Sequence, residues 1–343
     1  MNIYNILRFA GRGSIPAPLK LLGLWALHVC GRRTAGVFID PVLSCNLRCR
    51  MCYFSDPEKR GSLHGVMTAA QIDQAERALF HRALKLQIGC GAEPTLYPHL
   101  CELIRRGRLA GVPYISLTTN GQLLATGRVD PYALAEAGLN EITLSMHGTT
   151  APVYEELMTG AKFDNMLALA KLLGDVKTRF PNFKIRVNYT VNSLNIHDLE
   201  GDKFWAVWPD GVQPDIVQLR PVQDLGKSAW TDFDLQPIIA AYDNTIGAVA
   251  EECRRRGIIC IAPSSADVGA TGGQQDNASA VIEDVTYCYV SPDSCYKADF
   301  RDDDTYESYH RRHRTARALL RAALFPGSAR DRHVTKKLNY RIK

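Results

Sequence analysis

An α/β fold, a partial TIM-like (β/α)6 barrel with a small C-terminal extension, is predicted by three observations. Extended apolar segments alternate with helical patterns six times between residues 35 and 225; the segments that carry chemistry fall where strands end; and a 46% hydrophobic content over 343 residues suffices for a large core. Opening an eight-fold closure to six widens the mouth for a substrate. The expected organisation is a basic, apolar helical segment at 1–34, the barrel at 35–230, the extension at 231–303 and a basic tail at 304–343. The composition excludes a disordered chain. Ten cysteines without a cleavable signal peptide argue against a secreted disulfide scaffold, so a reducing, cytoplasmic setting is expected.

Residues 1–33 hold Arg8, Arg12, Lys20, Arg32 and Arg33 and no acid. Within them Ile15 to Cys30 is apolar, but its unbroken run, Leu21 to Leu27, is far short of the roughly 20 residues a membrane span needs. A helix capping the barrel's bottom is expected, with an interfacial anchor, Trp25 and the leucines among lipid headgroups, as the alternative. Val37 to Leu43 reads as the first strand and delivers Cys45-Asn46-Leu47-Arg48-Cys49-Arg50-Met51-Cys52. Three thiolates in a C-x3-C-x2-C run select an iron–sulfur cluster or zinc. Structural zinc closes four ligands, whereas a [4Fe-4S] cluster on three cysteines leaves one iron open to a small molecule. The run resembles the radical S-adenosylmethionine (SAM) family signature, C-x3-C-x-φ-C. That resemblance implies that Cys45, Cys49 and Cys52 hold a [4Fe-4S] cluster, that SAM chelates the open iron, and that one electron from a donor such as flavodoxin or ferredoxin yields a 5′-deoxyadenosyl radical. Met51 stands at the usually aromatic φ position, with Tyr53 just beyond. A polarizable thioether still packs against adenine.

Thr68 reads as the N-cap of a helix to about Leu86, with Ile72, Ala75, Leu79, Ala83 and Leu86 on one face, and Leu86 to Gly89 as a short second strand. Gly91-Ala92-Glu93-Pro94 then resembles the family's G-G-E-P motif, which implies that Glu93 and the neighbouring backbone accept hydrogen bonds from the SAM amino group. An ammonium in a buried site requires acceptors, and small residues let the backbone come close. Ala92 in place of the second glycine excludes positive φ there. Residues 98–110 read as helical, Tyr114 to Thr119 as extended, Thr119-Asn120-Gly121 as a turn, 130–137 as helical and Glu141 to Met146 as extended. Ser145-Met146-His147-Gly148 resembles the family's fourth-strand ending, implying that Ser145, with His147 second, contacts the ribose or carboxylate of SAM. A helix over 151–178 precedes Lys184 to Asn192. There Ile185, Val187, Tyr189 and Val191 alternate with Arg186, Asn188, Thr190 and Asn192, whose polar face is expected to line the lumen. Asn188 and Asn192 fit where the family binds ribose or the SAM carboxylate. Asp215 to Val222 is the sixth strand, with Arg220 either a partner for a carboxylate of SAM or substrate, or a rim salt bridge.

After a helical pattern at 232–256 come Cys253, Cys260, Cys288 and Cys295, around a Gly/Ala/Ser-rich stretch, Ala266 to Ala280, read as a loop. Cys288 to Cys295 reads as a hairpin turning at Pro292-Asp293. It resembles the cysteine-flanked hairpin of SPASM and twitch extensions, which implies at most one second [4Fe-4S] cluster on Cys260, Cys288 and Cys295, with Cys253 or substrate as fourth ligand. Ordinary buried thiols are the alternative. Cys30, Cys90 and Cys101 read as structural. The tail from Asp304 reads as a basic helix, a break at Pro326-Gly327 and a charged end, and Arg311 to Lys343 holds eleven Lys or Arg against one acid, Asp331. Its aromatics are too sparse for a nucleic-acid platform, while phosphate or peripheral membrane contact stays open. The expected function is hydrogen abstraction from a substrate. A peptide or protein is favoured if the second cluster exists, a small anionic metabolite or a lipid at the membrane surface if it does not. A non-catalytic iron–sulfur or zinc-binding scaffold is the reading from a different class.

Overall fold

The computed structural model describes residues 16–222, 228–230, 234, 236–263 and 277–325. Its centre is one sheet of nine strands: β1 (Ala35–Ile39), β2 (Ala83–Ile88), β3 (Ile115–Thr119), β4 (Glu141–Ser145), β5 (Lys184–Val191), β6 (Ile216–Pro221), β7 (Ile259–Ile261), β8 (Tyr287–Ser291) and β9 (Ser294–Cys295). The order is β7-β6-β5-β4-β3-β2-β1-β8-β9. All pairings are parallel except the β8–β9 hairpin. A partial, parallel barrel is therefore what forms, and it is wider than the six strands expected. Eight parallel strands stand in the cyclic order of a closed (β/α)8 barrel, with no β7–β8 ladder among the described residues. β8 escapes a reading along the chain because its parallel partner is β1, with Val37 opposite Cys288.

The inward and outward faces follow the alternation. Ile185, Val187, Tyr189 and Val191 are fully buried against the helical layer, while Asn188 lies on the other face, level with Ser145 of β4 and Gln218 of β6. Thr68 caps its helix through a capping box with Gln71, but that helix is Ala69–Leu79, and β2 starts at Ala83 rather than Leu86. The apolar spacing of Ala83 and Leu86 fits helix and strand alike; the buried Arg82, anchored to the C-terminal region, sets the break. The helix expected over 151–178 is two, Ala151–Leu157 and Phe163–Arg179, separated around Gly160, whose φ is +95°. The pattern at 232–256 resolves into Gln236–Ala241, a π-turn over Tyr242–Ile246 and Gly247–Arg255. Of the stretch read as a loop from Ala266 to Ala280, residues 266–276 lie outside the described residues, and Asn277–Thr286 is helical.

The Ala17–Val29 helix enters the bottom of β1 and packs on the Thr315–Leu324 helix, so the barrel floor is closed by both ends of the described chain. The 1–15 segment and the Pro326-Gly327 break with the chain beyond it lie outside the described residues. Among the described residues no helix is long and apolar enough to cross a membrane.

Candidate active site

The cysteine loop is held by its neighbours more than by itself. After β1, the backbone N–H of Leu43 bonds Gly65 O at 3.0 Å, and the isolated Val42–Val66 bridge keeps the strand direction. Arg48 N and Arg50 N then donate to Thr159 O and Leu157 O, both at 2.9 Å, which straps the loop to the end of the Ala151–Leu157 helix. Leu47, 1% exposed, is the apolar plug beneath it. Cys45, Cys49 and Cys52 are half-buried on this loop, near enough that each thiolate would disfavour another. Burial pushes Cys45 up to about 12 and raises the other two, so uncompensated thiolates are costly here and a cationic cluster or metal would lower that cost. Met51 is buried in the core, whereas Tyr53 is half-buried and donates its hydroxyl to Gly91 O at 2.7 Å.

The Gly91-Ala92-Glu93-Pro94 turn sits between two buried carboxylates. Asp40, 2% exposed at the end of β1, accepts from Cys90 N at 2.7 Å, from Gly91 N at 3.1 Å and from the Tyr289 hydroxyl of β8 at 2.8 Å. Glu93, also 2% exposed, accepts from Thr95 N at 3.1 Å, Thr95 Oγ1 at 2.5 Å, Thr119 Oγ1 at 2.6 Å and Asn120 N at 2.8 Å. Glu93 N in turn bonds Ser44 O at 2.9 Å, joining the turn to the cysteine loop. Among the described residues every donor to these two carboxylates is neutral, and burial raises the pKa of both. Two buried carboxylates with no cationic partner among the described residues suit a ligand that brings a positive charge. A side chain at Gly91 would meet the Tyr53 hydroxyl at 2.2 Å and so displace it from its bond to Gly91 O. Ala92 keeps negative φ, as expected.

The remaining predicted residues divide. Ser145 is half-buried at the end of β4 with Asn188 in register beside it, and Asn188 Oδ1 accepts from Arg220 Nε at 3.0 Å. His147 is buried; its Nδ1 accepts from Thr190 N at 3.1 Å, and burial first, then Arg220, lowers its pKa to about 4. These four share the ends of β4 to β6. Asn192 does not join them: its amide closes its own turn, accepting from Leu194 N at 2.9 Å and donating to Thr190 O at 3.2 Å. The loop after β5 also clamps the loop after β4. Asn195 donates to His147 O at 3.0 Å, and Asp198 accepts from Thr149 and Thr150.

The thiols expected to hold a second cluster fall into two pairs, Cys253 with Cys260 and Cys288 with Cys295. Cys260 is on β7 and Cys288 on β8, and no β7–β8 ladder joins the two pairs among the described residues. Cys260 and Cys288 are in register with the core residues Val217 and Val37, so both lie on the helix-facing side of the sheet, away from the polar face. Among the described residues no three His, Cys, Asp or Glu side chains close on a single-ion site, and this holds for the Cys45, Cys49 and Cys52 loop as well. The residues missed by the sequence reading are Asp40, Thr95, Thr119, Asn120 and Tyr289. Asp40, a lone acid in an apolar strand end five residues before Cys45, was the available signal.

Comparison with known proteins agrees with this geometry. The sequence family described as the Radical SAM superfamily matches residues 40–200. Curated relatives include the probable GTP 3',8-cyclase of Metallosphaera sedula, 32% identical over 190 residues, and that of Sulfurisphaera tokodaii, 27% identical over 188; each match covers 54% of this chain and 56% of the relative. The chain thus spans little more than half the length of these relatives. Among solved structures, Streptococcus suis SuiB bound to S-adenosylmethionine aligns with a TM-score of 0.56 at 14% identity, over 84% of this chain and 67% of that one. SuiB bound to the precursor peptide SuiA gives 0.54 at 15%, over 84% and 66%, and native anSMEcpe with bound AdoMet and a peptide gives 0.53 at 16%, over 87% and 89%. At these identities the likeness is one of fold.

Proposed function

We propose that the chain is a radical SAM superfamily enzyme that abstracts a hydrogen atom from a small anionic substrate. The observation that carries the first part is the joining of the three-cysteine loop, through Glu93 N and Ser44 O, to a turn framed by two carboxylates with only neutral donors. Members of the superfamily use a [4Fe-4S] cluster and SAM, and here Cys45, Cys49 and Cys52 would hold the cluster. Bound there, it supplies the electron that splits SAM into methionine and a 5′-deoxyadenosyl radical. The protein's own part is placement. Asp40 and Glu93 fix the turn whose backbone, with Glu93, receives the SAM ammonium; Ser145, His147 and Asn188 offer neutral polar contacts to ribose and carboxylate. His147 keeps its proton on Nε2, because Nδ1 is occupied as an acceptor, and so presents a donor. Because a primary carbon radical attacks any nearby C–H, selectivity rests on holding one C–H close and keeping water out.

The substrate class is read from two features. Cys260 and Cys288 lie on the helix-facing side of the sheet, away from the polar face, which weighs against the second cluster that would favour peptides. Arg220 Nε at the end of β6 donates to Asn188, placing a guanidinium at the polar strand ends, and the relatives in sequence are probable GTP 3',8-cyclases. Two measurements test the reading. Iron-loaded, dithionite-reduced protein is expected to convert SAM to 5′-deoxyadenosine and methionine, and the Cys45/Cys49/Cys52→Ala variant to make none; an intact, iron-loaded protein without turnover would make the chain a scaffold. The same triple variant is expected to hold no iron, and iron remaining in it returns peptides to the front.

A further inference from the structure

The floor of the barrel carries a surface that the site does not use. On the Ala17–Val29 helix the exposed positions include Leu19, Gly23, Ala26 and Leu27, followed by Val29 and Cys30, and none is charged. They form one helical stripe, opposite the fully buried Leu21. Leu19 is 59% exposed, Leu27 47% and Val29 56%, unusual for large apolar side chains on a helix with its other side in a core. The Thr315–Leu324 helix packs on this one and exposes a different stripe: Arg314, Arg317, Ala318 and Arg321, ending in Leu324 and Phe325, 57% and 61% exposed. Among the described residues no acid pairs with Arg314, Arg317 or Arg321. The nearby Glu307 is taken by Arg82 and His81, and Asp304 by Arg312. Two packed helices of the floor therefore expose an apolar stripe on one and an arginine stripe, unpaired with acids among the described residues, on the other.

We propose that this floor docks on an anionic lipid bilayer. The leucines and Phe325 would enter the interface while the arginines meet the headgroups, the division of labour of an interfacial helix. Charge complementarity chooses the occupant. A second copy of the chain would bring arginine against arginine, and among the described residues a nucleic acid would find Phe325 beside Arg321 but no ladder of exposed aromatics on which successive bases could stack. The sequence outside the described residues has the same sign, with Arg8 and Arg12 and no acid in residues 1–15, and six Lys or Arg against Asp331 in residues 326–343. The orientation follows from the fold. The floor lies at the N-terminal ends of β1 and β2, where Arg82 donates to His28 O at 3.3 Å, and the cysteine loop lies beyond the C-terminal end of β1. A docked molecule turns its barrel mouth away from the bilayer, toward water-soluble substrates. This docking does not depend on the reading of the active site.

Flotation of the full-length protein with phosphatidylcholine vesicles, with and without phosphatidylglycerol, tests it without any cluster. Binding is expected only with phosphatidylglycerol and is expected to weaken with salt. Arg314→Gln/Arg317→Gln/Arg321→Gln is expected to lower partitioning on the order of a hundredfold, and Leu19→Gln/Leu27→Gln roughly tenfold. Both variants change exposed positions, so unchanged thermal unfolding shows that the fold is intact. No flotation, equal flotation on both lipids, or arginine variants that float like the parent would each overturn the proposal. A dimer that Leu19→Gln/Leu27→Gln dissociates, without vesicle binding, would assign the stripe to a second copy and overturn it as well. Oligonucleotide retention lost with the arginines, again without flotation, would do the same.

Discussion

Asp40 and Glu93 frame one turn, yet removing their charges should have different consequences. Glu93 takes the backbone N–H of Thr95 on Oε1 and that of Asn120 on Oε2, so either orientation of a glutamine amide faces a donor that cannot become an acceptor. Asp40 takes Cys90 N on Oδ1 and shares Gly91 N between Oδ1 at 3.3 Å and Oδ2 at 3.1 Å, so an asparagine oxygen at Oδ1 keeps both backbone donors while the Tyr289 hydroxyl at Oδ2 can turn to accept from its amide. Glu93→Gln is therefore expected to cost roughly 1–3 kcal/mol in urea unfolding. Asp40→Asn is expected to cost less than about 1 kcal/mol while weakening SAM binding to iron-loaded protein in equilibrium dialysis. Equal stability losses would show that the donor geometry does not decide the matter. His147 gives a pH prediction at the same scale. Its pKa is lowered from 6.5 to about 4, so the unfolded chain takes up this proton first as pH falls. The contribution is complete above 6.5 and is lost toward 4, with a slope approaching about 1.4 kcal/mol per pH unit. In His147→Gln, whose amide oxygen can still accept from Thr190 N, acid unfolding over that window should be shallower. A slope should remain, because His310, lowered to about 3, and His28, also lowered, act in the same sense.

At the scale of elements, the cysteine loop depends on a helix that sequence reading did not separate. The Ala151–Leu157 helix carries the Leu157 end that binds Arg50 N, and its first turn lies against Gly148, where a Cβ would meet Tyr154 N at 2.4 Å and Tyr154 Cα at 2.6 Å. Those are backbone atoms and cannot swing aside. Gly148→Ala should move the helix, with a loss of roughly 1–3 kcal/mol and a fall in iron bound per chain after anaerobic reconstitution; unchanged iron would show that the strap is not needed to shape the loop. The case also shows what the sequence could carry. β5 was legible because its alternation is strict, and the cysteine and Gly91-Ala92-Glu93-Pro94 segments because their residue types are rare at such spacing. The split around Gly160 was not, since the apolar positions on either side continue one helical period. The carboxylate frame was half legible: Glu93 stands in a motif, but Asp40 acquires its meaning only when β8 brings Tyr289 to it from 249 positions away.

At the scale of the whole molecule, β8 beside β1 and the two packed terminal helices make the barrel depend on contacts between the ends of the chain. Local periodicity cannot register such contacts, which is why a six-stranded barrel with a separate extension was the natural reading and one nine-stranded sheet is the result. Arg82 concentrates this dependence. Only 2% exposed, it stands just before β2, pairs with Glu307 at 3.0 Å, donates to His28 O at 3.3 Å and lies 4.8 Å from the Tyr306 ring centroid. It thus joins the first helix, the sheet and the Tyr306–Arg312 helix at one guanidinium. Arg82→Met keeps the aliphatic length and removes the donors. It is expected to cost roughly 1–3 kcal/mol, because His28 O loses a charged donor at a buried guanidinium while the half-exposed Glu307 carboxylate keeps His81 as a partner. Glu307→Gln should cost less, since Glu307 is 40% exposed and its amide oxygen can still accept from Arg82. Limited proteolysis separates a local from a global effect: in Arg82→Met, cleavage between residues 16 and 33 should accelerate before cleavage within the sheet. If both regions are cut together at the parent's rate, the two ends of the chain are held by packing alone and Arg82 is not their clasp.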